Sequence, residues 1–410
     1  MSDQLPDLGS KSRTLSGWLT YLERLHPEAV EMGLERVNRV WNELGLASSF
    51  PIIIVGGTNG KGSTCAMMEA ILSCAGYRVG CYTSPHLLRY NERVRISRQE
   101  VSDGELCSAF DVVESARISS GISLTYFEFG TLAAMQLFSQ AGVDVAILEV
   151  GLGGRLDAVN IFDADCAVLT SIDFDHMDYL GDTREKIGFE KAGIFRSGRP
   201  AIGAEPDIPA SVRHHANTIG ANLMHVGEHF GYSASAADAT LWGYWGPAGK
   251  RHSLPHPALR GAYQLRNASA CLAALDTVRD RLPITMSDVR QGLLGITLPG
   301  RFQVLPGRPA TVLDVAHNPG AAHALAINLG SMGHYRKTYA VFAMLKDKDI
   351  TGVARALAAK VDIWLTAGID APRGASADEV RQALEAAGVE SAGETIRAFP
   401  SPAMAYAYAC

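Results

Sequence analysis

Apolar residues set a helical rhythm over residues 15–46, where Leu34, Val37, Val40, Trp41 and Leu44 recur on one face and Gly45 can end the run. The rhythm then breaks. Ile52-Ile53-Ile54-Val55 is continuously apolar, the pattern of a strand covered on both faces. A helix is predicted over Thr64–Ala75, with Met67, Met68, Ile71, Leu72 and Ala75 inward and Gly76 as its stop. Val79–Thr83, Val143–Val150 and Cys166–Ile172 repeat the buried-strand pattern, and Pro200–Gly203 is a shorter version. Helical stretches start near Leu132 and run from Ala262 to Leu282. Buried strands alternating with helices predict an α/β fold on a parallel-rich central sheet.

Beyond Leu298-Pro299-Gly300-Arg301-Phe302, a linker by composition, the alternation restarts. Strands are predicted at 311–316, 339–345 and 361–367, and helices at 320–332, 350–360 and 376–387. Two domains follow, 1–297 and 298–410, the second a smaller α/β unit with a parallel sheet. A strand should come after the last helical stretch, Ser401–Ala409, so the second domain is expected to lack its final strand. Residues 87–96, rich in arginine (Arg89, Arg93, Arg95), are expected to be a flexible segment over the site. Trp242, Tyr244 and Trp245 alternate as in an exposed hairpin.

Composition narrows the class. Hydrophobic content of 47% and charged content of 20% over 410 residues fit a globular protein with large cores. A net charge of −6 argues against nucleic acid as the main partner. No apolar run reaches the ~18 residues of a membrane span, and Met1–Ser10 lacks the apolar core of a signal peptide. The cysteines form no C-x-x-C pair, and Cys65, Cys74, Cys81 and Cys166 sit in apolar runs as small core residues. A cytoplasmic protein with no nucleic-acid and no membrane partner is the expectation.

Candidate chemistry begins where the first strand ends. Gly56-Gly57-Thr58-Asn59-Gly60-Lys61-Gly62-Ser63-Thr64 joins a strand to a helix, the order of a phosphate-binding loop. Glycines let backbone N–H groups crowd a phosphate, the helix start adds partial positive charge, Lys61 adds a full one, and Ser63 or Thr64 offers an oxygen near Mg²⁺. A glycine-rich turn alone is most often only a turn; the strand, lysine and helix around this one point to a nucleotide. Gly62 separates the lysine from the hydroxyls, an unusual spacing. Three polar residues lie at or after the ends of three predicted strands, Ser84, Glu149 and His176. Ligands of open α/β sheets bind at that edge. A carboxylate ending an apolar strand is costly unless paired or holding a metal, which makes Glu149 a Mg²⁺ candidate. Lys191, in an apolar helical segment, needs a reason to be there. Thr125-Tyr126-Phe127-Glu128 is ordinary core or a stacking surface for a flat ligand. Asp314 and His317 sit at a strand-to-helix turn of the second domain.

Together these stretches resemble the folylpolyglutamate synthase/dihydrofolate synthase family of the Mur ligase superfamily, ATP-dependent amide-bond ligases. The resemblance runs from about residue 15 to the end. It is carried by G-T-N-G-K-G-S-T at the loop, T-S-P-H at 83–86, L-T-Y-F-E-F-G-T at 124–131 and E-V-G-L-G-G-R-L-D-A at 149–158. It also has D-H at 175–176, E-K-A-G-I-F at 190–195, P-G-R at 299–301 and D-V-A-H-N-P at 314–319. The extra glycine of the loop is a mark of this family.

The resemblance implies a P-loop ATP-binding domain and a smaller Rossmann-like domain. It implies that Thr58, Asn59, Gly60, Lys61, Gly62, Ser63, Asn267, Arg301 and Asp314 bind ATP, the last two from the second domain. Ser84, Glu149 and His176 would hold Mg²⁺, of which two ions are expected. Lys191 would be carbamylated to N6-carboxylysine. Val30, Glu31 and Met32, with Thr125, Tyr126, Phe127, Glu128, Leu156, Asp157 and Ala158, would hold the pterin-bearing substrate. Lys61, Lys191 and His317 would be the catalytic set.

The implied reaction adds L-glutamate to dihydropteroate and to the glutamate tail of reduced folates, in a monomeric enzyme. A carboxylate attacks the γ-phosphate of ATP, and glutamate's amine displaces phosphate from the acyl phosphate. No Ser-His-Asp or Cys-His pattern calls for a protein nucleophile. A P-loop kinase, or an inactive truncated ligase that only binds nucleotide or folate, is the competing reading. The kinase would leave a stable phosphorylated product.

Overall fold

The computed structural model describes residues 13–28, 30–235, 238, 240–261, 263–389 and 395–410. Met1–Ser10 and Ala262, the expected first residue of a helix, lie outside the described residues. The chain divides into two compact units. The first comprises the chain up to Ile172, His176–Pro255 and Asn267–Gly295; the second comprises Asp173–Asp175, His256–Arg266 and Ile296–Cys410.

The first unit opens with α1 (Leu15–Leu25) and α2 (Glu35–Leu44), followed by β1 (Ile52–Gly56), α3 (Lys61–Cys74), β2 (Val79–Tyr82), β3 (Val94–Ile96) and β4 (Gln99–Glu100). Next come α4 (Asp103–Ser120), α5 (Tyr126–Ala141), β5 (Val145–Glu149), β6 (Cys166–Leu169), α6 (Met177–Leu180), α7 (Arg184–Ala192), β7 (Pro200–Gly203), α8 (Ala210–Ile219) and β8 (Asn222–His225). A three-stranded antiparallel piece, β9 (Gly231–Ala234), β10 (Leu241–Gly246) and β11 (Gly249–Pro255), precedes α9 (Tyr263–Thr277) and α10 (Met286–Leu294).

The eight-stranded sheet has the order β4-β3-β2-β5-β1-β6-β7-β8. Strands β2, β5, β1, β6, β7 and β8 run parallel, and β3 and β4 add an antiparallel edge. After β1 the chain moves to one side, returns as β5 beside β1, and then continues on the other side. That reversal leaves a crevice outside the carboxyl ends of the central strands, where open α/β sheets bind ligands. All of β1 is buried, as its unbroken apolar run requires of a central parallel strand. Burying each of its aliphatic side chains is worth about 1.5–3 kcal/mol before entropy is counted.

Several expectations change here. The helical rhythm of 15–46 is two helices. Thr14 caps the first through its hydroxyl, and the break contains Pro27 and Gly33, whose φ of 155° suits glycine. The helix expected from Thr64 starts at Lys61, so Lys61, Gly62 and Ser63 form its first turn and Gly60 (φ 91°) its N-cap. Residues 87–96 are ordered rather than flexible: Tyr90–Arg93 is a 3₁₀ turn and β3 joins the sheet. Arg95 of β3 pairs with the buried Glu69 of α3 at 2.8 Å, which gives that arginine a structural task. The aromatic hairpin is not an exposed one. Trp242 and Tyr244 are fully buried, and the Tyr244 hydroxyl donates to Asp276 of α9 at 2.7 Å.

In the second unit, β12 (Gln303–Leu305) and β13 (Thr311–Leu313) form a two-stranded antiparallel sheet. There follow α11 (Pro319–Ser331), β14 (Tyr339–Phe342), α12 (Ile350–Leu357), β15 (Ile363–Ala367), α13 (Ala377–Ala386), β16 (Ile396–Phe399) and α14 (Pro402–Ala409). The parallel sheet is β14-β15-β16. The strand expected at 311–316 is therefore short and lies outside that sheet. Its place as third strand is taken by β16, whose half-buried Ile-Arg-Ala-Phe carries little apolar signal. Phe342 and Trp364 meet edge to face at 5.2 Å in the core of this unit.

Candidate active site

Loop 56–64 is fixed by the strand beside it. Gly56 is in register with Leu169, so the residues after β1 run next to Thr170 and Ser171. Thr58 N–H donates to the Ser171 carbonyl at 2.8 Å, and Asn59 N–H to the Ser171 hydroxyl at 2.8 Å. Thr170 Oγ1 returns a bond to the Asn59 carbonyl at 2.7 Å. Gly57 is required: a Cβ there would stand 2.0 Å from Thr170 Oγ1, and its φ is 139°. Asn267 packs over the loop, its Oδ1 2.7 Å from where a Gly60 Cβ would be. Lys61 Nζ donates back to the carbonyls of Gly57 (3.1 Å) and Thr58 (3.3 Å). The ammonium thus lies against its own loop, beside the helix start that includes Gly62 and Ser63.

The carboxyl ends of β2 and β5 meet at this helix start. Glu149 is 5% exposed, and its Oε2 accepts the Ser84 backbone N–H at 3.1 Å. Both Glu149 oxygens lie 3.8 Å from where a Gly62 Cβ would stand. A buried carboxylate, a serine and the mouth of a phosphate loop therefore share one corner. Oxygen donors suit Mg²⁺, and so sparse a protein set leaves positions for phosphate oxygens and water, as that ion is usually held. His176 sits in a left-handed turn (φ 51°) at the start of α6. Lys191 is buried in the last turn of α7, its carbonyl oxygen 2.8 Å from where a Gly154 Cβ would be. Burial pushes the thiols of Cys65 and Cys81 well up, which removes them as nucleophiles at this edge.

The stretches expected to hold the substrate come together. Arg36 of α2 pairs with Glu31 and, at 3.0 Å, with Glu128 of α5, so it ties the 30–32 segment to the start of α5. Thr125 and Glu128 form a capping box on α5, which places Tyr126 and Phe127 in its first turn. A Cβ at Gly151 would stand 2.7 Å from the Phe127 ring, and one at Gly153 would stand 3.6 Å from Met32 Cε. The 151–158 loop therefore lies against both stretches, and Leu156 and Ala158 flank the buried Asp157. Asp157 accepts the N–H groups of Leu152 (2.8 Å) and Val159 (3.0 Å). Burial outweighs these bonds and the charge of Lys61, and raises its carboxyl to about 7. Val30 is exposed.

Arg301, Asp314 and His317 belong to the second unit. Asp314 accepts the N–H groups of Phe302 (2.8 Å) and Ala316 (2.8 Å), and burial raises its carboxyl despite the nearby charges of Arg301 and His317. His317 Nδ1 bonds the Val315 carbonyl at 2.9 Å and so carries a proton. Its Nε2 lies 3.6 Å from Asp175 Oδ2, and Lys348 Nζ pairs with Asp175 Oδ1 at 2.9 Å.

Known proteins place this arrangement. Residues 55–275 match the Mur ligase middle domain, and residues 300–410 match the Mur ligase glutamate ligase domain. The dihydrofolate synthase/folylpolyglutamate synthase of Escherichia coli is 46% identical over 371 residues, which cover 90% of this chain and 85% of that one. The chain belongs to the dihydrofolate synthase/folylpolyglutamate synthase family. The Escherichia coli enzyme solved with DHPP and ADP superposes with a TM-score of 0.90 at 44% identity, covering 99% of this chain and 92% of that one. A bifunctional member solved with Mn, AMPPNP and L-glutamate superposes with a TM-score of 0.88 at 46% identity, over 99% and 93% of the two chains.

For a member of this folate ligase family, sequence reasoning missed three groups. Thr170 and Ser171 anchor the phosphate loop, and the signal that singled out Ser84 and Glu149, a polar residue at a strand end, was there to find them. Arg36 joins two of the stretches expected to hold substrate, which one arginine on a helix face does not reveal. His86 and Arg93 line a cleft of about 330 Å³ beside Tyr126. Arg93 falls in the segment expected to be flexible, and His86 appears only as the last residue of the T-S-P-H motif.

Proposed function

We propose that the protein is an ATP-dependent ligase that adds L-glutamate to dihydropteroate, forming dihydrofolate, and to the glutamate tail of reduced folates, with release of ADP and phosphate. The observation that carries this reading is the corner where Lys61, Gly62, Ser84 and Glu149 converge, in a chain 46% identical over 90% of its length to an enzyme named for both activities. Two domains, 1–297 and 298–410, divide the work.

Thr58–Ser63 and Asn267 hold the phosphates of ATP, and Arg301 and Asp314 contact the nucleotide from the second domain. Ser84, Glu149 and His176 hold divalent metal, and Lys191, as a carbamate, is a further carboxylate-like ligand. Metal bound there supplies positive charge to the phosphates. Val30–Met32, Thr125–Glu128 and Leu156–Ala158 hold the pterin end.

An acceptor carboxylate oxygen attacks the γ-phosphorus of ATP, and the bond to the β–γ bridging oxygen breaks to leave ADP. Two anions must approach, so Lys61 and the first-turn N–H groups of α3 offset their repulsion. The amine of L-glutamate then attacks the acyl carbon, phosphate leaves, and the surplus amine proton goes to His317 Nε2. The enzyme works as a monomer in the cytoplasm without nucleic acid.

Incubation with Mg-ATP and labelled glutamate, offering dihydropteroate and tetrahydrofolate in turn, tests the reading. Label should enter both acceptors. Incorporation into only one would reduce the enzyme to a single activity, and a phosphorylated acceptor stable to glutamate would make it a kinase.

A further inference from the structure

We propose that Arg93, with His86, is the seat for the α-carboxylate of a glutamate-bearing acceptor, a group that dihydropteroate lacks. The proposal rests on the ligase reading above and names a residue that separates its two acceptor classes.

The cleft of about 330 Å³ in the first unit is bordered by Glu23, His26, Glu28, His86, Arg93 and Tyr126. Arg93 is held rigidly there. Its guanidinium carbon lies 5.3 Å from the Tyr90 ring centroid and 5.5 Å from that of Tyr126. Its Nε donates to His86 Nδ1 at 2.8 Å. The Nε–H is taken by His86 and the buried Tyr82 side chain is a second partner of the guanidinium, so one donor edge of the fork remains for a ligand. The bond from Arg93 makes His86 Nδ1 an acceptor and leaves the neutral ring's proton on Nε2. The cleft thus offers one guanidinium edge and an imidazole N–H. A planar fork locked before binding is the geometry that recognises carboxylate in two-point fashion. The other imidazole of the cleft, His26, is engaged with Glu31 at 3.0 Å. Glu23 and Glu28 are exposed, so solvent screens their repulsion.

Position decides which carboxylate is taken. The Arg93 carbonyl accepts the Thr83 N–H at 2.9 Å, one residue before Ser84, whose N–H bonds Glu149. The seat therefore flanks the corner where the reacting carboxylate meets phosphate. In dihydropteroate the sole carboxylate must react. In a glutamate-bearing acceptor the γ-carboxylate reacts and the α-carboxylate is a spectator. A tight guanidinium pair suits the spectator, because holding the nucleophile that way would stabilise the ground state against attack.

The test compares kcat/KM for tetrahydrofolate and dihydropteroate in wild type, Arg93→Ala and Arg93→Lys. Arg93→Ala should shift the ratio toward dihydropteroate by about tenfold to a hundredfold, the usual effect of losing a charge-assisted contact, mainly through KM for tetrahydrofolate. Arg93→Lys should recover part of the shift. On wild type, tetrahydrofolate with its α-carboxylate converted to an amide should show a similar rise in KM, a readout that no folding defect can mimic. Equal losses on both acceptors, or an α-amide used as well as the free acid, would overturn the proposal. If wild type incorporates no glutamate with either acceptor, the ligase reading fails first and the seat with it.

Discussion

Lys61 and Asp157 lie near one another at the carboxyl edge of the sheet, and each makes a separate prediction. Lys61 is the one full positive charge in the sequence of the phosphate loop, and its ammonium hydrogen-bonds the Gly57 and Thr58 carbonyls, which a phosphate can replace. Lys61→Ala should lower kcat by about a hundredfold to a thousandfold while leaving circular dichroism and melting temperature near wild type. Loss of fold along with activity would mean that the lysine is structural. Asp157 has a carboxyl raised from 3.8 to about 7 by burial. The folded state therefore holds a proton that the unfolded chain gives up near pH 4. The stability this contributes is present below the ordinary carboxylate range and is lost as pH rises through 7, on the order of 4 kcal/mol in total. Denaturant titrations from pH 4.5 to 8 should show stability falling with pH in the wild type and a flatter profile in Asp157→Asn. Parallel profiles would assign the slope elsewhere.

At the scale of elements, the long apolar strands were legible because a central parallel strand has no polar face. β1, β5 and β7 lie where their runs predict, within two residues. The phosphate loop was legible for the same reason: glycines, lysine and helix start are all local. What was not legible depends on distant partners. Trp242 and Tyr244 alternate like a solvent-facing hairpin, yet both are buried and Tyr244 is tied to α9 through Asp276. Tyr244, Arg251 and Ala248 converge on Asp276, whose side chain is 1% exposed. Asp276→Ala would strand the Arg251 guanidinium and the tyrosine hydroxyl, and should destabilise the first unit by about 3–5 kcal/mol in urea melts. A change under 1 kcal/mol would mean that water replaces the carboxylate. The phosphate loop is equally dependent on its neighbour. Gly57→Ala puts a methyl on Thr170 and should weaken ATP binding at least tenfold by calorimetry, and unaltered binding would show that the loop can shift without loss. The second unit was read less well, because β16 is short and half-buried and β13 pairs antiparallel with a strand that no pattern announced.

Over the whole molecule, the chemistry needs ATP, an acceptor carboxylate and an amine, and the residues proposed for it are drawn from both units. The first carries the phosphate loop, the Ser84–Glu149 corner and the stretches proposed to hold the pterin. The second carries Arg301, Asp314 and His317. No helix among the described residues is long and apolar enough to cross a membrane. Placing the chain in a ligase family fixes the order of events, because the acyl phosphate has no use unless an amine consumes it. The most direct test is therefore a stoichiometry. Phosphate release from Mg-ATP should be followed alongside labelled glutamate incorporation, with dihydropteroate as acceptor and with each component omitted in turn. One phosphate released for each glutamate incorporated, and almost none without acceptor or glutamate, is the predicted result. Phosphate release at the full rate without glutamate, or a phosphorylated acceptor that glutamate does not discharge, would contradict it.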